Sequence, residues 1–451
     1  MLLNNIKTSK YLPFVFMGIV MLFFYITATD KFSDDVLYAI KNPLQDGLIN
    51  MTIDSYLNWS SRMIIRPTMV ALMLLPIWLW RILDLAIWIM LAMSISKLFI
   101  KEENVGTNWF LVAFMMLYPY WHMATAGWIA TTTNFFWPLS FGMFALFTLK
   151  RIYEGVLLPV YRWMFFGVAI LYASDAEQKV MILLAIFAVL AIYQVHTKSP
   201  TPMQYRITLF GSLVFLIARM IFTLTTPGNH VRRLTGHYTV SRFEDYSLWQ
   251  RLVLGFELAS VHYTQFTIAL FPFFALLLLT VVWKLHNNII KRVIAAVPLA
   301  ISVSLSSIMV INALFFARDN LAYYEGWFLD SFILMALPSW PGSNILFILF
   351  YASLMYAVYL SCQNAVDRSR VVGIMLLGFL SQLMLGFSPS LYGSALRTFV
   401  YASFAIIISA LYLYENGAKE YLGKFMKILL VFACVVNFAL TFAISFVRMT
   451  V

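Results

Sequence analysis

The feature that most restricts this chain is a succession of long apolar runs, broken by short polar connections, that fills it from Tyr11 almost to its last residue. After Lys150 the runs fall near 156–173, 179–195, 207–224, 264–283, 293–316, 344–361, 371–387, 398–414 and 425–447. A helix of about 20 apolar residues matches a hydrocarbon layer about 30 Å thick, and helices satisfy every backbone polar group there. The pattern predicts an all-α, polytopic integral membrane protein with roughly 11–14 transmembrane helices of that length. Composition agrees, with 62% hydrophobic residues, 11% charged residues and mean hydropathy +0.82. A 451-residue chain spent this way has no room for a soluble domain of ordinary size, so residues 1–451 read as a single transmembrane domain.

Lys7 and Lys10 precede the run 11–28 and no small-residue cleavage site follows it, which predicts an uncleaved first span with a cytoplasmic N-terminus. The run 64–100 would be about 55 Å long as one helix, too long for a single crossing. Arg81 and Asp84 are expected to mark its break. The run 109–120 is short for a span, and 135–149 stops at the basic pair Lys150-Arg151, a cytoplasmic signal. Five apolar segments thus precede Lys150, although two cytoplasmic ends require an even number of crossings. Either 109–120 or part of 64–80 is expected not to cross.

Beyond Lys150 the basic residues sort the loops. Those with Lys198 and Arg206, with Lys284, Lys291 and Arg292, with Arg368 and Arg370, and with Lys419 and Lys424 read as cytoplasmic. Those at 174–178, 225–251, 317–343 and 388–397 read as extracytoplasmic, as does the first loop, 29–67.

Several function classes fall away. The net charge of +11 has no soluble face on which to form a nucleic-acid patch. Cys362 and Cys434 lie in or beside apolar runs, away from any disulfide framework, and the six histidines lack a metal-binding spacing. No Gly-rich phosphate loop or serine nucleophile motif is present, which argues against nucleotide-driven transport and serine hydrolysis.

What remains is the polar surface of the outer loops. Loop 29–67 carries Asp30, Asp34, Asp35, Asp46 and Asp54, five of the chain's 20 acidic residues. Such a cluster where a membrane helix meets water is either a solvated loop or a reaction centre. Facing the same side are Arg62, Arg232, Arg233, Arg242 and Arg397, where the charge rule predicts few cations. They read as lipid-headgroup contacts and partners of Glu244 and Asp245, or as a site for an anion such as phosphate, which a guanidinium fork suits. In the basic loop 225–251, a turn through Pro227, Gly228 and Asn229 leads to Arg232 and Arg233. Glu177, in the short turn 174–178, reads as solvated, or as an arginine partner or sugar-hydroxyl ligand. Asn134, beside Trp128 and Trp137, reads as a helix cap or a sugar contact, with Trp128 as a stacking ring.

A short cytoplasmic N-terminus, one span and an outer loop with an Asp34-Asp35 pair resemble the polytopic GT-C type glycosyltransferases. Trp59 through Arg62, Trp128 through Asn134 with Trp137, Glu177, Pro227 through Arg232, and Pro389 through Arg397 resemble, more narrowly, the bacterial and phage serotype-converting O-antigen glucosyltransferase-related family. The resemblance runs from about residue 11 to about residue 400, through short motifs. It implies an inverting enzyme of the bacterial inner membrane that moves a sugar from a polyprenyl-phosphate donor to a surface glycan, such as the O-antigen of lipopolysaccharide. Asp34 or Asp35 would act as general base, the loop being partly helical. Asp30, Trp59, Arg62, Trp128, Asn134, Glu177, Asn229, Arg232, Arg233 and Arg397 would bind substrate, with or without a divalent metal. Partners would be the lipid-linked donor, the acceptor glycan, membrane lipids, and an upstream donor-synthesising transferase and flippase. Asp-Asp-Val departs from the family's usual aromatic or polar residue after the pair. The alternatives are an O-antigen or capsule polymerase, and a lipid-linked glycan flippase or transporter, for which Arg219 inside an apolar run is the candidate buried charge.

Overall fold

A computed structural model describes residues 9–30, 34–36, 43–101, 104–197, 200–235, 243–315, 342–388 and 395–450. Among them every regular element is helical. Among the described residues, eight helices are long and apolar enough to cross a membrane, nine if one bent pair forms a single span, so the protein is multi-pass. That is fewer than the roughly 11–14 spans expected from apolar runs of about 20 residues. The difference lies in helices whose apolar stretch is real but short, such as Leu12–Tyr25, Val105–Met116 and Val160–Ser174. The chain divides into two compact units, one comprising 1–7, 11–98 and 123–236, the other 8–10, 99–122 and 237–451.

The first unit begins with α1 (Leu12–Tyr25), α2 (Pro43–Asn58), α3 (Ile65–Met73) and α4 (Ile77–Phe99). The long run 64–100 is broken as expected, but at Leu74, Leu75 and Pro76 rather than at Arg81 and Asp84. Pro76 lacks the amide that a continuing helix needs, whereas a buried charge stays inside a helix when it is met by partners. Asp84 is met in this way, taking hydrogen bonds from the Tyr25 hydroxyl and the Trp137 indole. Arg81 donates to the Ala28 carbonyl at 2.6 Å. At nine residues α3 spans about 14 Å, too short to cross on its own.

The remainder of this unit is α6 (Trp128–Thr131), a π-turn over Thr132–Phe136, α7 (Trp137–Tyr153), α8 (Val160–Ala173), α9 (Glu177–Thr197), α10 (Met203–Thr225) and α11 (Pro227–Thr235), α5 being the Val105–Met116 helix of the other unit. Ala145 and Leu149 of α7, Phe166 and Ala169 of α8, Leu183 and Phe187 of α9 and Leu209 and Leu216 of α10 form its core. Helix α2 is kinked at Gly47, whose φ is +73°. Ile49, Ile53 and Leu57, spaced four apart, are exposed, while Thr52 and Ser55 are buried. Gly228 of α11 approaches α2 so closely that a Cβ would fall 2.5 Å from the Trp59 amide nitrogen.

The second unit comprises α5, α12 (Leu248–Val261), α13 (Leu270–Leu285), α14 (Ile289–Phe315), α15 (Gly342–Ser361), α16 (Ala365–Leu383), α17 (Ala395–Thr398), α18 (Val400–Glu415) and α19 (Lys424–Thr450), one of which is a post packed against by α5, α13, α16 and α17. That post is α18, where every residue from Val400 to Tyr414 is buried, as a helix apolar on all faces must be. The segments Leu248–Phe266 and Leu270–Leu285 meet at 81°.

Asp175, in the turn between α8 and α9, ties three pieces of the first unit together. Its carboxylate accepts the amides of Met63, Ile64 and Ile65 at 3.2, 2.8 and 2.8 Å and so caps α3. It also pairs with Arg219 of α10 at 2.6 Å. Arg219, the candidate transporter charge, is thus one half of a structural ion pair. Breaking a buried pair by removing one partner costs about 3–5 kcal/mol, and Asp175→Ala is expected to lose that much in detergent unfolding. Combined with Arg219→Ala, the loss should fall short of the sum by on the order of 0.5–3 kcal/mol; strict additivity would mean that the two side chains act separately.

Candidate functional site

Of the candidate residues, Trp59, Arg62, Asn134, Glu177 and Arg232 come together within the first unit. Arg62 follows α2, in the connection to α3, and its guanidinium is gripped from two sides. Nε and Nη2 donate to Glu177 Oε2 at 2.8 and 2.7 Å, and Nη1 donates to Asn134 Oδ1 at 2.6 Å. Glu177 is the first residue of α9, where a carboxylate is favoured by the helix dipole. The Ser60 hydroxyl reaches its other oxygen at 3.5 Å. Asn134 lies in the π-turn, where the extra residue per turn turns its side chain toward Arg62, and its Nδ2 donates to the Ala130 carbonyl at 2.7 Å. Arg232, on α11, stands 5.8 Å from the ring centre of Trp59 and feels the charge of Glu177. Burial pulls its guanidinium down from the usual value while Glu177 pulls it up. Two cations thus share one carboxylate, leaving a positive balance beside an exposed indole.

The acidic pair splits. Asp34 is half-buried, whereas Asp35 is 1% exposed. Asp35 Oδ1 accepts the Ala130 amide at 2.9 Å and Oδ2 the Ile129 amide at 3.1 Å, with the Trp128 amide also turned toward it. A side chain from the acidic loop therefore caps α6. The cap requires Gly127, whose φ is +90° and where a Cβ would fall 2.5 Å from the Asp35 carboxyl carbon. Burial, with help from nearby Asp34 and against the amides, lifts the Asp35 carboxyl to about 7.

Asp30 is half-buried beyond α1. Trp128 is 4% exposed and packs edge-on against Phe24, so its ring is core and Trp59 is the open indole. Asn229 donates to the Thr223 carbonyl at 2.8 Å, tying α11 back onto α10. Arg397 belongs to α17 of the second unit. The side chain of Arg233 and residues Arg242 and Pro389 lie outside the described residues. Among the described residues no group of three metal-ligating side chains gathers.

Sequence reasoning passed over Asp175 and Ser60. An acid in a five-residue turn between two apolar runs has little water within reach, and that was the available signal for Asp175. No protein-family model matches the chain, and comparison with curated proteins and with solved structures finds no similar one.

Because Asp35 holds a proton in the folded chain up to about pH 7 and releases it near 3.8 when unfolded, folding takes up a proton between these values. Its contribution to stability is therefore greatest at low pH, declines as pH rises toward 7, and is level above. Melting of wild type and Asp35→Asn in detergent from pH 5 to 8 checks this. The wild-type midpoint should fall relative to the variant as pH rises, and flatten beyond about pH 7.

Proposed function

We propose that this protein is a GT-C type membrane glycosyltransferase that moves a sugar from a polyprenyl-phosphate donor to a cell-surface glycan. The reading places the reaction on the extracytoplasmic side of a bacterial inner membrane. The observation that carries it is the convergence of Arg62, Arg232, Glu177 and Asn134 in the unit that holds Asp34 and Asp35. Guanidinium groups beside an exposed indole suit a phosphate and a sugar ring, and a carboxylate suits the proton of an attacking hydroxyl.

In this reaction the acceptor hydroxyl oxygen attacks the anomeric carbon from the face opposite the phosphate. The new carbon–oxygen bond forms as the anomeric carbon–phosphate oxygen bond breaks, and the bonding pair leaves with the lipid phosphate. Asp34 takes the hydroxyl proton, since both Asp35 oxygens are occupied by amides. The leaving phosphate needs no proton of its own, and Arg62 and Arg232 stabilise its growing charge. A single displacement inverts the anomeric centre.

The test is sugar transfer in membranes supplied with radiolabelled polyprenyl-phosphate sugar and the host's surface glycan. At equal expression, Asp34→Asn should lose about 10²–10⁴-fold of the rate, the usual worth of a general base. Arg232→Ala should lose rate and donor affinity together. Transfer by Asp34→Asn at the wild-type rate would remove Asp34 from the mechanism. A wild type that extends lipid-linked oligosaccharides but uses no lipid-linked monosaccharide would be a polymerase.

A further inference from the structure

Asp35 is a buried acid that the chemistry above does not consume, and it sits at one end of a continuous polar chain. Its Oδ1 accepts the Ala130 amide at 2.9 Å. The carbonyl of the same residue accepts Asn134 Nδ2 at 2.7 Å. Asn134 Oδ1 accepts Arg62 Nη1 at 2.6 Å, and Arg62 holds Glu177. One residue of backbone, Ala130, therefore separates the acidic loop from the side chain that orients the guanidinium. The intervening segment is the π-turn, which departs from regular helical hydrogen bonding and depends on what holds its ends. Its far end continues into α7, anchored by the Trp137 bond to Asp84, and Trp80 Nε1 donates to the Thr132 hydroxyl at 3.0 Å. Its near end is held by Asp35.

We propose that Asp35 is a positioning residue: by capping α6 it fixes the register of the π-turn, and with it the grip of Asn134 on Arg62, while taking no part in proton transfer. The assignment to a transferase site rests on the function proposed above. The coupling from Asp35 to Arg62 does not. The pair is thereby divided, Asp34 left to the reaction and Asp35 committed to the frame that aims the arginine. Gly127 is part of the same device, because any Cβ there meets the carboxylate. The amides of Ile129 and Ala130 are its direct reporters, and the reactivity of the Arg62 guanidinium is its remote one.

The experiment compares wild type, Asp35→Asn, Asp34→Asn and Gly127→Ala as purified full-length proteins. Hydrogen exchange is read over 128–136, phenylglyoxal labelling of Arg62 by mass spectrometry, and sugar transfer in parallel. Because an Asn side chain has one acceptor oxygen where the Asp35 carboxyl has two, loss of one amide bond should speed exchange at Ile129 or Ala130 by about tenfold in Asp35→Asn. Arg62 labelling should rise several-fold on the same grounds, and transfer should fall mainly through donor KM. Gly127→Ala, which displaces the carboxylate without removing it, should match Asp35→Asn and keeps the test open if that variant fails to fold. Asp34→Asn should lose transfer while exchange and labelling stay at wild-type values. Faster exchange without faster Arg62 labelling would overturn the coupling. Loss of transfer in Asp35→Asn with exchange and labelling unchanged would also overturn it, by making Asp35 the reacting group. If wild type transfers no sugar from any donor, the transferase reading falls, and the coupling is judged on exchange and labelling alone.

Discussion

A carboxylate carried out of water into a helical membrane protein must be met by donors, because an unpaired buried charge costs several kcal/mol. The first unit is organised by three aspartates that meet this requirement in three ways. Asp84 is held by a phenol and an indole, Asp175 by three amides and a guanidinium, and Asp35 by backbone amides at a helix start. Each joins segments far apart in sequence, and together they fix α1, α3, α4, α6 and α10. Apolar packing alone specifies such an arrangement poorly, since a stripe of Leu, Ile and Phe tolerates sliding. The hydrogen-bond geometry of a buried acid does not, which places the candidate site on the most sharply specified part of the unit.

The helices were legible because the membrane imposes a length and a polarity that a one-dimensional sequence displays directly. From α8 onward most expected runs and observed helices differ at their ends, but α11 and α12 lie in or beside the expected loop 225–251, and the expected run 264–283 is crossed by the 81° bend before Leu270. The misplaced break at Arg81 and Asp84 has a physical cause. Charge in a sequence reads as a sign of water, whereas Asp84 keeps its place in α4 through Tyr25 and Trp137, which lie 59 and 53 residues away. No local pattern announces such partners, while Pro76, which ends α3, acts through its own missing amide.

For the site, residue type carried part of the way. Surplus arginines on one side of the chain and a short acidic turn pointed to an ion pair, and Arg62 holds Glu177. Adjacency could not carry further. Asp34 and Asp35 are indistinguishable in sequence, and only the fold sets one half-buried and the other against Ile129 and Ala130. Trp128 shows the same limit, since an indole in an outer loop and an indole packed on Phe24 look alike until the chain is folded.

The charge balance bears on which state of a phosphate such a site would favour. Arg62 and Arg232 against Glu177 leave about one positive charge, enough to match a phosphodiester, which carries a single negative charge in a lipid-linked sugar donor. In the proposed transfer, the phosphate would move from diester toward monoester and gain charge as the anomeric bond breaks, so the same guanidiniums would bind it more strongly than the donor. Interactions that strengthen along the reaction lower its barrier, whereas equal binding of donor and transition state would not. In that reading Glu177 would hold Arg62 in place while one carboxylate, shared by two guanidiniums, leaves the site a positive balance. A guanidinium kept in place before the substrate arrives reorganises little when the charge develops, and electrostatic catalysis depends on that preorganisation.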